Sequence, residues 1–253
     1  MKSLAPVLAA GLFLSTALSA EPEILLEQSF SSENRSLQQL PSSSAWFGSE
    51  PDGVLVNRKG LSSAPNRHLI AYFAETEKPL SLSPGESLTL KISFSVKEPL
   101  PKGGVFRVGL FDSQGKRVTE DGQGPNNPLF QNYRGYSAHL DINSPRALSF
   151  HRRTEGLSDK LIAGNEAFGE PLLRSTGSGA SFDSEKIYTA NFKLTRTAQG
   201  ISLTCDIPEL AGYEASVEDT HHPLTTFDTV VLYGARSGMS RFAIERVEIA
   251  LSK

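Results

Sequence analysis

Beyond residue 20 the chain is dominated by apolar and polar residues that change places at every second position, the period of a strand with one buried and one wet face. The clearest run is Ser87–Val96, where Leu88, Leu90, Ile92, Phe94 and Val96 point one way and Thr89, Lys91, Ser93 and Ser95 the other. Pro84-Gly85 just before it signals a turn. The same alternation predicts strands over Val105–Phe111 (Phe106, Val108 and Leu110 inward, Arg107 and Gly109 opposite) and Tyr136–Ile142 (Tyr136, Ala138, Leu140 and Ile142 inward, Ser137, His139 and Asp141 opposite). Ala147–Arg153 follows, then Tyr188–Thr195 with Ala190, Phe192 and Leu194 inward, then Ile201–Ile207 behind the hairpin-like Gln199-Gly200. Thr229–Tyr233 and Phe242–Leu251 close the chain, and Ile24–Phe30, Val54–Asn57 and Leu69–Phe73 add strands near its start. Apolar residues at helical spacing are missing, although Asn34 to Leu40 has room for one short helical turn. About ten strands separated by Gly, Pro, Asn and Ser clusters predict an all-β chain: a two-sheet antiparallel β-sandwich of jelly-roll type. Two long polar connections, Asp112–Arg134 and Thr154–Glu185, stand out as loops long enough to carry a function.

The first twenty residues break the pattern. Lys2, an apolar run from Leu4 to Leu14 and the small residues Ser15 to Ala20 have the order of a secretory signal cleaved near Ala20. The run is shorter than the ~20 apolar residues a bilayer span needs, and no cysteine stands at the cut to take a lipid, so no membrane anchor is expected. Removing twenty of 253 residues leaves 233, residues 21–253, which suits one sandwich domain. The remaining 24 basic residues (25 less Lys2) face 28 acidic ones, without a dense Lys/Arg run, so a nucleic-acid surface is not expected. Cys205 is the single cysteine; Leu203 and Ile207 share its parity, so it reads as a buried, inert thiol.

The order of several segments carries a resemblance. They are Ser29-Phe30, Leu40-Pro41, Ala45-Trp46-Phe47, His68 to Phe73, Leu82 to Phe94, Phe106 to Phe111, Gly135 to Ala138, and a closing strand Ile244–Leu251. Together the mature chain resembles the concanavalin A-like, laminin-G-like jelly rolls, and among them secreted proteins of a type common in Verrucomicrobia-like and Planctomycetes-like genomes. The resemblance implies a curved sandwich whose first and last strands pair. That fold also hosts calcium sites built from Asp side chains and loop carbonyls; a structural calcium is compatible with the chain, but its residues place none. No activity is implied, since lectins, carbohydrate-binding modules, glycosidases and lyases share the fold.

Each chemistry leaves its own demand on the residues. A retaining glucanase needs two carboxylates about 5–5.5 Å apart; the nearest strand pair, Glu245 and Glu248, reads better as a solvated face. A nucleophile elbow is absent, and Ser178 lies in a Gly-rich loop without that spacing. His221-His222 lacks zinc-ligand spacing, so no metal site is assigned. A polysaccharide lyase needs a cation for the uronate and a base for the C5 proton. Arg107 would neutralise the charge, with His139 or Tyr133 as base. Sugar binding asks for planar polar side chains and an aromatic face. Gln131, Asn132, Tyr133 and Arg134 cluster where a loop meets a strand, and Asp141, His151 and Arg153 fall opposite their strands' apolar parity. Trp46 reads as a core plug between the sheets.

The sequence thus points to an exported domain, periplasmic or extracellular, that binds extracellular polysaccharide without cleaving it. A lyase acting by β-elimination on a uronate-containing glycan, and a surface or matrix protein without a small ligand, are the alternatives.

Overall fold

The structure is a computed structural model that describes residues 21–30, 35–50, 54–57, 60–63, 67–96, 104–124, 126–144, 147–164, 166–169, 171–176, 180–184, 186–235 and 242–253. The expected signal segment and Ser178 lie outside the described residues. The strands, in chain order, are β1 (Glu23–Ser29), β2 (Trp46–Gly48), β3 (Val54–Asn57), β4 (Gly60–Ser63), β5 (His68–Tyr72), β6 (Leu80–Ser81), β7 (Ser87–Val96), β8 (Gly104–Asp112), β9 (Arg134–Ile142), β10 (Leu148–Arg153), β11 (Pro171–Thr176), β12 (Ile187–Arg196), β13 (Ile201–Asp206), β14 (Glu214–Asp219), β15 (Thr226–Phe227), β16 (Thr229–Ala235) and β17 (Phe242–Ser252). One short 3-10 turn, Pro128–Asn132, precedes β9. Among the described residues no helix is long and apolar enough to cross a membrane.

Fifteen of these strands form two antiparallel sheets, and β6 and β15 pair with each other as a separate two-stranded ladder. The first runs β14-β13-β12-β7-β17, and the far side of β17 is shared by β1 and by β4, with β3 beyond. The second runs β11-β10-β9-β8-β16-β5-β2. First and last strands pair, Glu23 opposite Leu251 through Ser29 opposite Arg246. Between the sheets lies one apolar cluster reaching from Leu26 to Leu251. It takes every residue the alternation aimed inward on β7, β8, β9 and β12, together with Trp46 and Cys205. Trp46 packs edge-on against Phe30 at 5.6 Å and donates its indole N–H to Gln28 at 2.9 Å, so the one buried polar atom of the ring is satisfied. Each such large side chain contributes roughly 1.5–3 kcal/mol by leaving water. Burial pushes the Cys205 thiol up, away from the reactive thiolate.

Two expectations are corrected. Residues 35–40 form no helical turn; Gln39 instead bridges Ser43, exchanging backbone hydrogen bonds of 3.0 Å in each direction. The stretch Thr154–Glu185 is not one loop, because Pro171–Thr176 adds β11 to the edge of the second sheet. The edge strand β14 is equally silent in the sequence, since only Ala215 and Val217 of its six residues are apolar and an edge buries little.

The two long connections are the feature that positions the candidate site. Residues 113–133 and 154–169 do not project from the sandwich end. They fold back over the outer face of the second sheet and form a second apolar cluster there: Ile70, Tyr72, Phe111, Val231 and Tyr233 from the strands meet Val118, Phe130, Tyr133, Leu161, Ile162 and Phe168 from the connections. We refer to these connections as the roof. The strand glycines make room for this layer. A Cβ on Gly109 would meet the Phe111 ring at 2.3 Å, and one on Gly135 would meet the Leu110 carbonyl oxygen at 2.2 Å, so the phenyl ring lies flat on bare backbone.

Candidate functional site

Pairing of β5, β16, β8, β9 and β10 sets the outer-face side chains of the second sheet in rows. One row is His68, Tyr233, Arg107, His139 and Ser149. The next is Ile70, Val231, Gly109, Ser137 and His151, and the third is Tyr72, Thr229, Phe111, Gly135 and Arg153. The first row is a polar line across five strands, about 19 Å long at the usual inter-strand spacing.

The roof decides what these groups can do. Arg107 is 7% exposed; its Nη1 donates to the carbonyls of Ile162 at 2.7 Å and Gly164 at 3.1 Å, and its guanidinium lies 5.6 Å from the centre of the Tyr233 ring. His139 and His151 stack at 4.0 Å, and Phe168 of the roof covers both, at 5.1 and 5.2 Å. Their Nε2 atoms each sit 3.2 Å from a serine hydroxyl, Ser137 and Ser149 respectively. Burial first, and the Arg107 charge second, holds His139 well below the ordinary imidazole value and lowers His151 to about 4. His68, under Phe130 at 5.3 Å, is lowered to about 4 by burial and then by Arg67. Three of the five histidines therefore lie beneath one roof, all neutral at pH 7.

Arg153 is fully buried and acts as the central tie. Nε donates to Tyr133 O (3.0 Å), Nη1 to Lys160 O (2.8 Å) and Ala167 O (2.7 Å), and Nη2 to Phe130 O (2.6 Å) and Ser158 O (2.5 Å). All five N–H donors of a guanidinium are thus spent on carbonyls from both connections. Burial lowers its pKa only to about 10, so it stays charged. The first connection is anchored further by Tyr72, whose hydroxyl accepts from Val118 N at 2.8 Å and lies 3.0 Å from the Tyr133 hydroxyl. Arg117 stacks over the Tyr72 ring at 4.5 Å and pairs with buried Asp228 at 2.8 Å.

The sequence-selected residues thus separate into three places. Arg107, His139 and His151 come together beneath the roof. Arg153, in the third row, bonds the backbone of Tyr133 in the roof; Tyr133 precedes His139 by six residues along the chain entering β9, about 20 Å when extended. Burial pushes its phenol far above the usual value, so near neutrality it is a hydrogen-bonding group inside the layer and no base. Gln131, Asn132 and Arg134 stand at the rim. The two amides are exposed, and Arg134 reaches Asp112 at 3.2 Å with its side chain 35% exposed. Asp141 lies half-buried at the opposite end of β9. Sequence reasoning passes over His68, Tyr233, Phe168 and Asp228. His68 is readable by parity, since it alternates with Leu69, Ala71 and Phe73 of the core; Phe168, in an irregular segment, carries no signal.

Among the described residues no three His, Cys, Asp or Glu side chains come together, and the buried carboxylates Asp112, Asp219 and Asp228 are each paired with an arginine. Calcium asks for six to eight oxygen ligands, and the described side chains assign it none. What the rim offers is a set of planar polar groups: two exposed amides, and a guanidinium–carboxylate pair beside Gln114, whose side-chain amide also donates to Asp112. They can exchange hydrogen bonds with hydroxyl groups.

No protein-family model matches the chain, and no curated protein matches it. Solved structures do. The VIP36 exoplasmic/lumenal domain, bound to Ca2+ and Man3GlcNAc, aligns with a TM-score of 0.52 at 12% identity over 91% of this chain and 90% of its own. The basic winged bean lectin with Tn-antigen gives 0.50 at 14% identity, over 90% and 98%. The metal-free carbohydrate recognition domain of Emp46p gives 0.50 at 11%, over 87% and 95%. At such identities the likeness extends to the fold alone. With the sheet order and the antiparallel pairing, it gives this chain the legume-lectin-like, concanavalin A-like β-sandwich fold.

Proposed function

We propose that this chain is an exported domain that binds extracellular polysaccharide through the rim of the roof, where the first connection enters β9, and does not cleave it. The observation that carries the reading is the setting of Gln131 and Asn132. They are exposed, yet they sit on a short turn whose Phe130 carbonyl, and the Tyr133 carbonyl just after it, are gripped by buried Arg153. Polar groups held still before binding lose little freedom on contact, which favours affinity for a hydroxyl-rich ligand. Half-buried Arg134 and exposed Gln114, both bonded to buried Asp112, add polar groups near the start of β9. The sandwiches similar in fold include some with Man3GlcNAc or Tn-antigen bound, which supports this class of ligand. The absence of cleavage is supported by Arg107 and His139, whose polar atoms are turned to backbone and serine partners beneath the roof. Export, and kinship with secreted bacterial sandwiches of the Verrucomicrobia-like and Planctomycetes-like type, rest on the first twenty residues and on the order of the strand segments.

A glycan array and affinity electrophoresis with the folded protein test the reading. Retardation by at least one neutral or acidic polysaccharide is expected, with binding weakened about tenfold in Gln131→Ala/Asn132→Ala. Uniform failure across both glycan classes sinks it. A rise in absorbance near 235 nm on a uronate polymer, lost in Arg107→Ala, would instead establish the lyase. Intact-mass measurement of the exported protein, expected to begin near Glu21, tests the signal segment.

A further inference from the structure

We propose that the roof over the second sheet is an acid-released cover, held shut by the uncharged state of the histidines beneath it. The geometry carries this. His139 and His151 are stacked face to face at 4.0 Å, so a proton on one ring puts a charge against the other. Arg107, whose pairing position is next to His139, is already a fixed cation in the same row. Phe168 closes over both rings, and with His139 buried and His151 half-buried a new charge there keeps little of its hydration. His68, at the other end of the row, has its Nδ1 buried without a hydrogen-bond partner and lies against Phe130 of the first connection. Both connections thus rest on imidazoles that a proton would turn into buried cations.

The remaining charged groups do not offset such a proton. Around the rings stand Arg67 beside β5, Arg107 on β8, Arg153 on β10, and Tyr233 on β16. From the roof come Arg117, Tyr133, Asp159, Lys160 and Glu166, and from β9 Asp141. The charges that act on the imidazoles are cationic: Arg107 on His139 and His151, and Arg67 on His68. Glu166 of the roof bonds Lys160. Asp141 lies half-exposed at the row's edge.

The sign follows by linkage. The covered imidazoles titrate below their uncovered value near 6.5, so the open form takes up more protons. Closure is fully favoured above about pH 6.5 and is lost as pH falls toward 4. A single ring that titrates at about 4 when covered and about 6.5 when open shifts the open-to-closed ratio on the order of 10²-fold by pH 4.5. Opening would uncover the row of Arg107, Tyr233 and His139.

Amide hydrogen exchange of the whole chain at pH 7.5 and 4.5, corrected for the intrinsic rate, tests this. The hydrogen-bonded roof amides of Val118, Asn127, Phe130, Tyr133 and Gly156 should lose protection at pH 4.5 by more than the ~10²-fold of a single ring, while β7, β12 and β17 keep theirs. His139→Phe/His151→Phe, which keeps two stacked rings but cannot be protonated there, should narrow that loss. His151→Gln, at a half-exposed position that tolerates change, should narrow it by a smaller step. Unchanged roof protection at pH 4.5 overturns the inference. So does a loss shared equally by β7, β12 and β17, or a loss of the same size in both variants.

Discussion

On the outer face of the first sheet, Thr89, Lys91 and Ser93 of β7 stand opposite Lys193, Asn191 and Thr189 of β12, and all six reach water. On the outer face of the second sheet, Arg107 of β8 stands opposite His139 of β9, in strands of the same alternation, and both are buried. The two faces differ in the segments that connect their strands. β7 follows a tight turn at 83–86 and β12 runs into another at 197–200, and these polar residues meet solvent. The second sheet leads into two connections rich enough in apolar residues to cover it. Alternation therefore fixes which side chains leave the inter-sheet core, not whether they arrive in water. Where they do not, each polar group must find a partner. Arg107 and Arg153 meet that demand by taking roof carbonyls, and so become the ties that hold the roof in place.

The contrast is broken most severely at Arg153. Arg153→Ala takes a buried donor from five roof carbonyls and should cost about 3–5 kcal/mol in chemical denaturation. Arg153→Lys should recover only part, since an ammonium has three donors and lacks the planar fork. Next comes Gly109→Ala, whose methyl would collide with the Phe111 ring; a loss of about 1–3 kcal/mol is expected, read from the denaturation midpoint. Acid then distinguishes the faces. Between pH 6.5 and 4, stability should fall by about 1.4 kcal/mol per pH unit for each proton taken up by the histidines on unfolding, and His68→Phe should flatten that slope. The smallest effect belongs to the solvated face. Arg246 pairs with Glu27 and Glu248 in the open, and Arg246→Ala should change stability by no more than about 0.5 kcal/mol. A cost at Arg246 equal to that at Arg153 would erase the distinction between the faces.

The regular part of the fold is legible because strands report themselves locally. Leu88 through Val96, Phe106 through Leu110 and Ala190 through Leu194 announce their inward sides at a period of two, and a one-residue slip would turn every one of them to water. Cys205 is legible for the same reason, sharing the parity of Leu203 and Ile207, and Trp46 is legible because an indole mostly buries. The candidate site is legible in part. Gln131, Asn132 and Arg134 stand out because polar residues at a loop–strand junction tend to reach the surface. Tyr133 in their midst defeats the same rule: β9 begins just after it, and the side chain turns beneath the roof to the Tyr72 hydroxyl.

By itself, the sequence determined the all-β sandwich, the parity of its long strands and the identity of its inner core, because these follow from side-chain period and the removal of apolar surface from water. Only the tertiary structure decided that two polar connections would become a roof, and that Arg107, Arg153, His68, His139 and His151 would lie beneath it. That outcome depends on contacts between residues such as Phe168 and His139, which no local period links. The energy of a polar group depends on what covers it, and the cover comes from elsewhere in the chain.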